Sequence, residues 1–469
     1  MTIRTLAPAL LVASALVAAG AAGGVASAQT DPDRTARLRD AALTDDVAMD
    51  ITAGLTTEVG PRLAGTEAEA RARDWGVAKL RALGFRNVRI ETCAMPVWRR
   101  GEERGEIVGP FPARLALTAL GNSGATPPGG IQAPVIYFPT LADLEAVPAG
   151  SLAGKIAFVS HAMKPTQDGS SYGVFGRVRR AGPSIAAQKG AAAIVIRSVG
   201  TDYHRNPHAG LTVFAPGVRP IPAAALALPD AENLERILAR AGRRPVVMRL
   251  LLTPTVQADG QSGNVIGEVP GSDRDAGIVV IGGHLDSWDL ATGAIDDASG
   301  VAITTAAAKR IMDGSRRPRR TIRVVWFGAE EVQGCGGPDY LARHGDERHA
   351  LAAESDFGAD RVWQLRTRLP ANAAPVTARL AAALGPLGIA SGTAAADGGA
   401  DIGPLVATGV PVLDLVQDGT RYFDYHHTPD DTLDKVDPQQ LRQNVAAWTA
   451  MLDIVANAPE KLDRVMVPN

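Results

Sequence analysis

The chain has 469 residues, of which 46% are hydrophobic and 21% are charged, and its formal net charge at pH 7 is −2. This length allows two or three domains with a large buried core. Because Lys and Arg are not in surplus, the composition argues against binding to nucleic acid or to an anionic membrane surface. The one basic cluster, residues 316–320, is predicted to be a solvated turn between a helix and a strand.

The first 28 residues have the three parts of a secretory signal peptide. Arg4 lies in a short n-region, an apolar segment around Leu10 follows, and small residues precede Gln29. Glycines interrupt the apolar segment before it is long enough to cross a membrane, and no lipobox cysteine lies near the cleavage point. We therefore predict cleavage near Ala28 and export to the periplasm or the medium.

The chain contains two cysteines, Cys93 and Cys335. An oxidising compartment would permit a disulfide between them. The alternative is two separate buried thiols, and the sequence does not decide between the two because geometry controls pairing.

Residues 68–83 carry apolar side chains at helical spacing, and Gly84 follows as a C-terminal cap, so we predict a helix there. Between about 122 and 134 the chain becomes rich in Gly, Pro, Ser and Thr, a composition that indicates a boundary. A second module of short strands and helices is predicted from there to residue 257.

This second module resembles the protease-associated domain. The resemblance rests on the segments 152–156 (LAGKI), 186–196 and 221–222. His204 and His208 have the spacing of two ligands on one helix, but the proline between them argues against a helix. We therefore predict no metal site in this module.

From residue 258 the chain again alternates between predicted strands and helices. Strands are expected over 264–268, 278–281 and 321–327, and a helix over 299–311. Acidic and histidine residues follow the ends of these strands, where open α/β sheets place their binding sites. Two imidazoles with several carboxylates are what a pair of divalent metals sharing a bridging carboxylate requires. The residues in question are His284, Asp286, Asp296, Asp297, Glu330, Glu331, Asp356, His426 and His427.

Each of these residue types is suited to a particular role at a metal site. His284 can offer one ring nitrogen to a metal, and the Asp286 carboxylate, two residues later in an extended segment, can accept the other ring N–H. Asp296 and Asp297 are adjacent, and one carboxylate of such a pair can bridge two cations. The alternative for the pair is a set of acids that interact with a helix N-terminus.

Glu330 and Glu331 point in opposite directions if their segment is extended. One of them can then bind metal while the other acts as general base toward a metal-bound water. Asp356 and His427 would supply the last ligands. The sequence contains neither a Gly-x-Ser-x-Gly elbow nor a His-Glu-x-x-His motif, so a serine nucleophile and a single-zinc helix are not expected.

This series of motifs resembles the M28 metallopeptidases, which are co-catalytic zinc exopeptidases. Residues 282–289, GGHLDSWD, and the inserted module make it most similar to the plasma glutamate carboxypeptidase (carboxypeptidase Q) branch. The resemblance implies an α/β fold with a mixed, mostly parallel sheet flanked by helices, over residues 29–125 and 258–469. The protease-associated domain would be inserted over residues 126–257.

The resemblance also implies two zinc ions and a role for each residue. His284 and Asp356 would bind one zinc, and Glu331 and His427 the other. Asp296 would bridge the two ions. Asp297 would follow a cis peptide that shapes the bridge, Glu330 would be the general base, and Asp286 would support His284.

The sequence identifies the residues that contact substrate less precisely than the metal ligands. His426 stands where some relatives have a tyrosine that stabilises the tetrahedral intermediate, so His426 and Tyr425 are both candidates. Asp401 and Asp289 are candidates for binding a substrate ammonium, or alternatively for supporting the metal ligands. Ala400 replaces an Asn used by relatives that prefer a C-terminal acidic residue, so a dipeptidase or an aminopeptidase is expected rather than a glutamate carboxypeptidase.

Three alternatives remain at this stage. The M20 peptidases share His-x-Asp and Glu-Glu, but their extra domain follows the Glu-Glu pair, whereas the insertion here precedes His284. A glutaminyl-cyclase-like enzyme on this fold would hold one zinc. A non-catalytic binding protein would be expected to lose ligands that this chain retains. The expected partner is a peptide, with neither nucleic acid nor membrane, and a homodimer is left open.

Overall fold

The computed structural model describes residue 1 and residues 31–466. The signal peptide predicted for residues 1–28 therefore lies almost entirely outside the described residues. Within the described part of the chain, no helix has the length and apolar character needed to cross a membrane.

Residues 31–466 form two eight-stranded sheets with helices packed against them. The strands are β1 (Arg86–Arg99), β2 (Glu103–Gly109), β3 (Ala113–Leu115), β4 (Leu117–Ala119), β5 (Ile131–Phe138), β6 (Ile156–Val159), β7 (Ala193–Arg197), β8 (Ala223–Leu226), β9 (Val247–Leu252), β10 (Thr255–Val269), β11 (Ile278–His284), β12 (Thr321–Phe327), β13 (His349–Glu354), β14 (Val362–Arg368), β15 (Ala390–Ser391) and β16 (Val412–Gln417). The α-helices are α1 (Pro32–Ala42), α2 (Val47–Gly54), α3 (Glu67–Ala82), α4 (Leu141–Ala146), α5 (Ser170–Gln188), α6 (Leu228–Ala241), α7 (Ser299–Met312), α8 (Gly336–His344), α9 (Ala374–Leu384), α10 (Gly403–Val406), α11 (Tyr422–Tyr425) and α12 (Pro438–Asn457).

The first sheet has the strand order β1-β10-β12-β11-β13-β16-β14-β15. Strands β12, β11, β13 and β16 run parallel at its centre, and antiparallel pairs flank them. The central strands are continuous apolar segments such as Val279-Val-Ile281, which is typical of strands covered on both faces. The structure thus confirms the predicted α/β class with a mixed sheet and flanking helices.

Helices α7 and α12 cover the first sheet with small and branched side chains that are fully buried. Sequence patterns located α3 and α7 well, because their signals are local. Helix α3 begins at Glu67 after the N-cap Thr66, whose hydroxyl accepts from the amide of Glu69, and Gly84 has a φ of 94° just beyond its end. The helix predicted over 299–311 is α7, which ends one residue later.

The second sheet has the strand order β3-β2-β9-β5-β6-β7-β8-β4 and carries α5 and α6. It begins at Glu103, whereas the sequence analysis assigned residues up to 125 to the first sheet's domain. Gly105 pairs with Leu115 and Leu117 pairs with Leu226, so residues 103–119 pair within the second sheet. The Gly- and Pro-rich segment at 122–134 lies inside this unit, as a loop that leads into the first residues of β5, because such residues indicate turns rather than domain borders.

The fold answers two further questions from the sequence: whether the basic cluster at 316–320 is solvated and whether the two cysteines pair. The basic cluster at 316–320 is only partly solvated, because Arg320 is buried and donates to the backbone carbonyls of Ala276, Val455 and Ala458. Cys93 and Cys335 form a disulfide with a Cα–Cα distance of 6.1 Å. This disulfide joins β1 to the residue that precedes α8.

Candidate metal centre

The predicted acidic and histidine residues meet at one edge of the first sheet. His284 is the last residue of β11, and in the parallel register it lies beside Phe327, the last residue of β12. Glu330 and Asp356 come shortly after the ends of β12 and β13. Because these strands are parallel, their carboxyl ends share the edge where their following residues converge.

Asp296 lies between two pairs of side chains. Its Oδ1 is 3.1 Å from Nε2 of His284, and its Oδ2 is 3.2 Å from Nε2 of His427. The same His284 nitrogen is 3.5 Å from Oδ1 of Asp356, and the same His427 nitrogen is 2.9 Å from Oε2 of Glu331. One carboxylate is therefore shared by two groups, each made of a histidine and an acid.

Two buried carboxylate oxygens at this point have no hydrogen-bond partner among residues 31–466. They are Oδ2 of Asp296 and Oε1 of Glu331, whose side chains are almost fully buried. Orphaned buried carboxylate oxygens are costly unless a cation or a proton meets them. Nitrogen and oxygen donors in this combination suit zinc, and groupings around Asp296 could hold a metal ion.

The electrostatics agree with a cation at this position. Burial raises the pKa of Glu331, and burial together with neighbouring carboxylates raises the pKa of Glu330 well above its ordinary value. Burial alone would lower the pKa of His427, but Glu331 and Asp296 raise it well above its ordinary value. Raised pKa values favour protons on Glu330 and Glu331 when no cation is present, whereas the neighbouring histidines lower the pKa of Asp296 well below its ordinary value despite its burial. Divalent ions bound here would replace such protons.

The role expected of Asp286 needs correction in its detail. Nδ1 of His284 donates to the backbone carbonyl oxygen of Asp286 at 2.8 Å, while the Asp286 carboxylate is 3.8 Å away. That carboxylate instead accepts from the amides of Glu330 and Glu331, at 3.1 and 3.3 Å. The chain turns after β11, so the alternation of an extended segment does not continue. Asp286 thus holds the turn that carries both glutamates.

Asp297 follows a cis peptide bond after Asp296, as the family resemblance implied. Its carboxylate accepts from the amide of His284 at 2.9 Å and from that of Gly300 at 3.0 Å. This side chain therefore fastens the start of α7 to the end of β11.

A cavity of about 500 Å³ opens onto the candidate metal centre. The first-sheet unit contributes most of the lining residues, and helix α5 and Leu211 of the second-sheet unit contribute the others. The residues that line it are Tyr172, Arg179, Arg180, Leu211, Asp296, Glu330, Glu331, Gln333, Asp356, Phe357, Asp397, Ala400, Tyr422, Phe423, His426 and His427.

Of the two candidates for stabilising an oxyanion, the structure brings only one to this cavity. His426 lines it, with its ring stacked on that of His427 at a centroid distance of 3.5 Å. Burial lowers the pKa of His426 well below its ordinary value. Tyr425 lines a separate, smaller cavity and lies near Lys435, whereas Tyr422 lines the metal cavity. The sequence Tyr-Phe-Asp-Tyr gave no means of choosing between these two tyrosines.

Neither acid proposed for a substrate ammonium lines the cavity. Both oxygens of Asp289 accept from the guanidinium of Arg100, at 2.8 to 3.1 Å. Asp401 is buried beside Glu354, and burial with that neighbouring carboxylate raises its pKa well above the ordinary value. The exposed acid that does line the cavity is Asp397, which the sequence analysis did not select.

Sequence analysis also missed two residues that shape the loop between His284 and Asp296. Arg62 is fully buried and donates to the carbonyl oxygens of Leu285 and Thr292, both at 2.5 Å. Asp431 accepts from the amides of residues 294 and 295, at 2.8 Å each. Of these two residues, only Asp431 could have been selected from the sequence, because it belongs to an adjacent pair of acids, Asp430-Asp431. A lone arginine after a proline has no distinguishing pattern.

Loop 198–211 of the second-sheet unit holds the segment that bears the two histidines. The amide of Ala209 donates to the carbonyl of His427 at 2.9 Å, and Thr201 donates likewise to Phe423 at 3.1 Å. His208 is fully buried, with Nδ1 2.8 Å from the carbonyl oxygen of His426 and Nε2 2.7 Å from Asp202. The second-sheet unit is therefore part of the framework of the site.

Comparison with known proteins agrees with this geometry. The family model described as "Peptidase family M28" matches residues 264–452. Carboxypeptidase Q of Bos taurus is 33% identical over 87% of this chain and 85% of its own length. Aminopeptidase YwaD of Bacillus subtilis is 24% identical over 83% of this chain and 80% of its own.

Solved structures are similar over almost the whole chain. The crystal structure of a Peptidase M28 precursor from Shewanella amazonensis SB2B is 46% identical, with a TM-score of 0.90, and the match covers 94% of this chain and 100% of that one. A zinc aminopeptidase from Bacillus subtilis has a TM-score of 0.61 at 20% identity, over 89% of this chain and 97% of its own, and shares the fold.

Proposed function

Since the chain belongs to peptidase family M28 and is therefore a peptidase, we propose that it is a two-zinc exopeptidase that hydrolyses dipeptides or short peptides. The observation that carries this proposal is the position of Asp296, with one carboxylate oxygen toward His284 and the other toward His427. Two metal ions sharing a carboxylate require that arrangement.

His284 and Asp356 would hold one zinc ion, Glu331 and His427 the other, and Asp296 both. When bound, the ions supply Lewis acidity for the scissile carbonyl and lower the pKa of the attacking water. Glu330 lines the cavity. As general base it takes the proton from the water and then delivers it to the leaving amine.

His426 is the candidate for stabilising the developing oxyanion, because it lines the cavity and Tyr425 does not. A neutral imidazole can donate one N–H, and the lowered pKa of His426 keeps it neutral. Asp286 and Asp297 orient the backbone around the ligands through the amide hydrogen bonds already described.

We also propose that the second-sheet unit is a protease-associated domain inserted between β1 and β10. Whereas the extra domain of M20-type enzymes follows the Glu-Glu pair, such an insertion would precede His284. Its position over the cavity would limit access to peptide ends. Export by the N-terminal segment belongs to the same proposal and would be tested by sequencing the N-terminus of the mature protein.

Two alternatives are less well supported. A glutaminyl-cyclase-like enzyme would hold one zinc, whereas the candidate ligands here form two groups that share Asp296. A non-catalytic binding protein has no use for Glu330 at the cavity wall.

The proposal is tested by a panel of free dipeptides, N-blocked peptides and longer peptides, with zinc content measured on the same preparation. The wild-type protein should cleave unblocked substrates, and Glu330→Ala should keep its zinc and lose about 10³-fold or more in kcat. If a fully zinc-loaded wild type cleaves none of these substrates, the proposed function is wrong.

A further inference from the structure

Helix α11 brings a second ring side chain to the cavity beside that of His426. Tyr422 is the first residue of the helix, and His426 directly follows its last residue. Residues four apart on a helix lie on the same side, and the rings of Tyr422 and His426 are 5.1 Å apart between centroids. Both line the cavity together with Asp296 and Asp356. Tyr422 is therefore a neighbour of the candidate metal centre that the mechanism does not yet use.

The ring of Tyr422 separates the large cavity from the smaller one. Tyr422 borders both cavities, whereas Tyr425, three residues later, borders the smaller one and does not line the larger. Burial raises the pKa of Tyr422 well above its ordinary value, and the nearby carboxylates of Asp296 and Asp356 raise it further. Since both acids belong to the candidate metal centre, the hydroxyl lies toward that centre and keeps its proton.

The hydroxyl of Tyr422 is a donor without an acceptor. Only 7% of the residue is exposed, yet within residues 31–466 this hydroxyl has no hydrogen-bond partner. The other well-buried tyrosine differs, because the hydroxyl of Tyr340 accepts from Arg323 at 3.0 Å and lies 3.1 Å from Nε2 of His349. The oxygen of Tyr422 is not enclosed by protein, so an acceptor that a ligand brings into the cavity can reach it.

Packing holds the ring of Tyr422 in place. Its centroid is 4.7 Å from that of Phe357, the residue after Asp356, and 5.1 Å from that of Phe423. A Cβ at Gly358 would lie 3.0 Å from Cδ2 of Tyr422, and Gly358 has a φ of 83°. This glycine leaves the space in which the ring packs. A donor that is fixed in this way needs little rearrangement when charge develops beside it.

His426 alone is an incomplete donor for a substrate oxygen. A neutral imidazole has one N–H. Nε2 of His426 is 3.6 Å from Oδ2 of Asp296, and Nδ1 is buried without a hydrogen-bond partner in residues 31–466. The carboxylate of Asp296 therefore competes for an N–H on Nε2. The hydroxyl of Tyr422 has no such competing acceptor in the described part of the chain.

We propose that Tyr422 is a further catalytic residue, whose hydroxyl donates a hydrogen bond to the oxygen of the scissile carbonyl, beside His426. No bond is made or broken at the phenol, and its proton stays on its own oxygen. The carbonyl oxygen gains negative charge when water adds to the carbonyl carbon, so the hydrogen bond is stronger in the transition state than in the substrate complex. This inference rests on the proposed peptidase function.

The test removes a single oxygen atom. Tyr422→Phe keeps the ring that packs against Phe357, so the variant should fold and bind zinc as wild type does. On a dipeptide that wild type cleaves, kcat should fall by about 100-fold. KM should change by less than about threefold, because the hydrogen bond acts mainly in the transition state.

The matched control is Tyr425→Phe, which removes the same atom three residues away. Tyr425 does not line the large cavity, and its ring lies near Arg421 and Lys435, so this variant should keep the wild-type kcat and KM. Circular dichroism and zinc content would be measured for both variants. The inference is overturned if Tyr422→Phe keeps the wild-type kcat, if it changes KM alone, or if it loses zinc together with activity.

A binding measurement separates this inference from the peptidase proposal. Calorimetry on zinc-loaded protein would use a phosphinic dipeptide analogue, in which a tetrahedral phosphinate replaces the scissile amide, and a free amino acid, which lacks that group. Wild type should bind the phosphinate about tenfold or more tightly than Tyr422→Phe does, and the two proteins should bind the amino acid equally.

The two proposals then fail separately. If no peptide is cleaved but the difference in phosphinate binding is seen, the proposed function fails and the donor role of Tyr422 stands. If wild type cleaves peptides and both proteins bind the phosphinate equally, the donor role fails and the proposed function stands.

Discussion

His208 donates a hydrogen bond from Nδ1 to the carbonyl oxygen of His426 at 2.8 Å, which ties the second-sheet unit to the segment that carries His426 and His427. The next residue, His427, has a φ of 63°, a backbone conformation that non-glycine residues adopt rarely. Such a residue needs surrounding contacts to hold it. We infer that the His208 contact is one of these.

Replacing His208 by Ala should therefore weaken the metal centre without touching a ligand. The expected results are a loss of about 2–4 kcal/mol in the free energy of unfolding and a rise of about tenfold in the zinc Kd. His204→Ala is the matched control, because His204 is in the same loop with 67% of its side chain exposed. An unchanged zinc Kd in His208→Ala would show that this contact does not position the ligands.

Arg62 should prove essential to the loop between His284 and Asp296. Its fully buried guanidinium donates to carbonyls at both ends of that loop, so Arg62→Met leaves these acceptors unpaired. We expect a loss of about 3 kcal/mol or more in unfolding free energy, measured by denaturant titration. Arg71→Met replaces an exposed arginine of α3 and should leave the free energy of unfolding unchanged. Equal losses in the two variants would refute the role assigned to Arg62.

Stability of the metal-free protein should depend on Asp414. Burial raises the pKa of Asp414 to about 6, from an ordinary value of 3.8. Between these two pH values the folded state holds a proton that the unfolded state has released, so this group's contribution to stability falls as pH rises. The contribution of Asp414 to the free energy of unfolding decreases by at most about 3 kcal/mol between pH 4 and pH 6.

Asp414→Asn should flatten that part of the pH profile, as measured by urea unfolding of metal-free protein at pH 4, 5 and 6. If the free energy of unfolding rises by the same amount through this range in wild type and in Asp414→Asn, the role assigned to Asp414 is contradicted.

The disulfide between Cys93 and Cys335 should stabilise the turn that carries Glu330 and Glu331, since Cys335 ends that turn. The cross-link spans 242 residues, and removing it with Cys93→Ser/Cys335→Ser should cost about 2–5 kcal/mol of unfolding free energy. A reductant should lower the unfolding midpoint of wild type and leave the double variant unchanged. Insensitivity of wild type to a reductant that fully reduces both cysteines would argue against a stabilising role.

The sequence predicted that His284, Glu330, Glu331 and Asp356 lie close together, because each ends or follows a strand that has a local pattern and parallel neighbours. It failed where a side chain's direction depends on a turn. Asp286 faces the amides of the glutamates because the chain leaves the extended conformation after β11, and no periodicity signals that change.

Contacts between distant segments were also beyond prediction. Arg179 reaches His427, which is 248 residues further along the chain, and neither residue carries a mark of this contact. The contact of His208 with His426 was likewise not predictable from the sequence. Nor was the start of the second sheet at Glu103, because strand pairing rather than local composition decides which sheet a strand joins. Prediction therefore recovered the acids of the candidate metal centre and missed the α5 residues that line the same cavity.

The central claim is that Asp296 is shared by two zinc ions that act together with Glu330. The most direct measurement is a zinc titration of metal-free protein, with bound zinc per chain and dipeptide hydrolysis recorded at each point. We predict about two zinc ions per chain, with full activity only when both are bound, and a loss of the second ion in Asp296→Asn. Full activity at one zinc per chain, or an Asp296→Asn variant that still binds two ions and hydrolyses dipeptides normally, would contradict it.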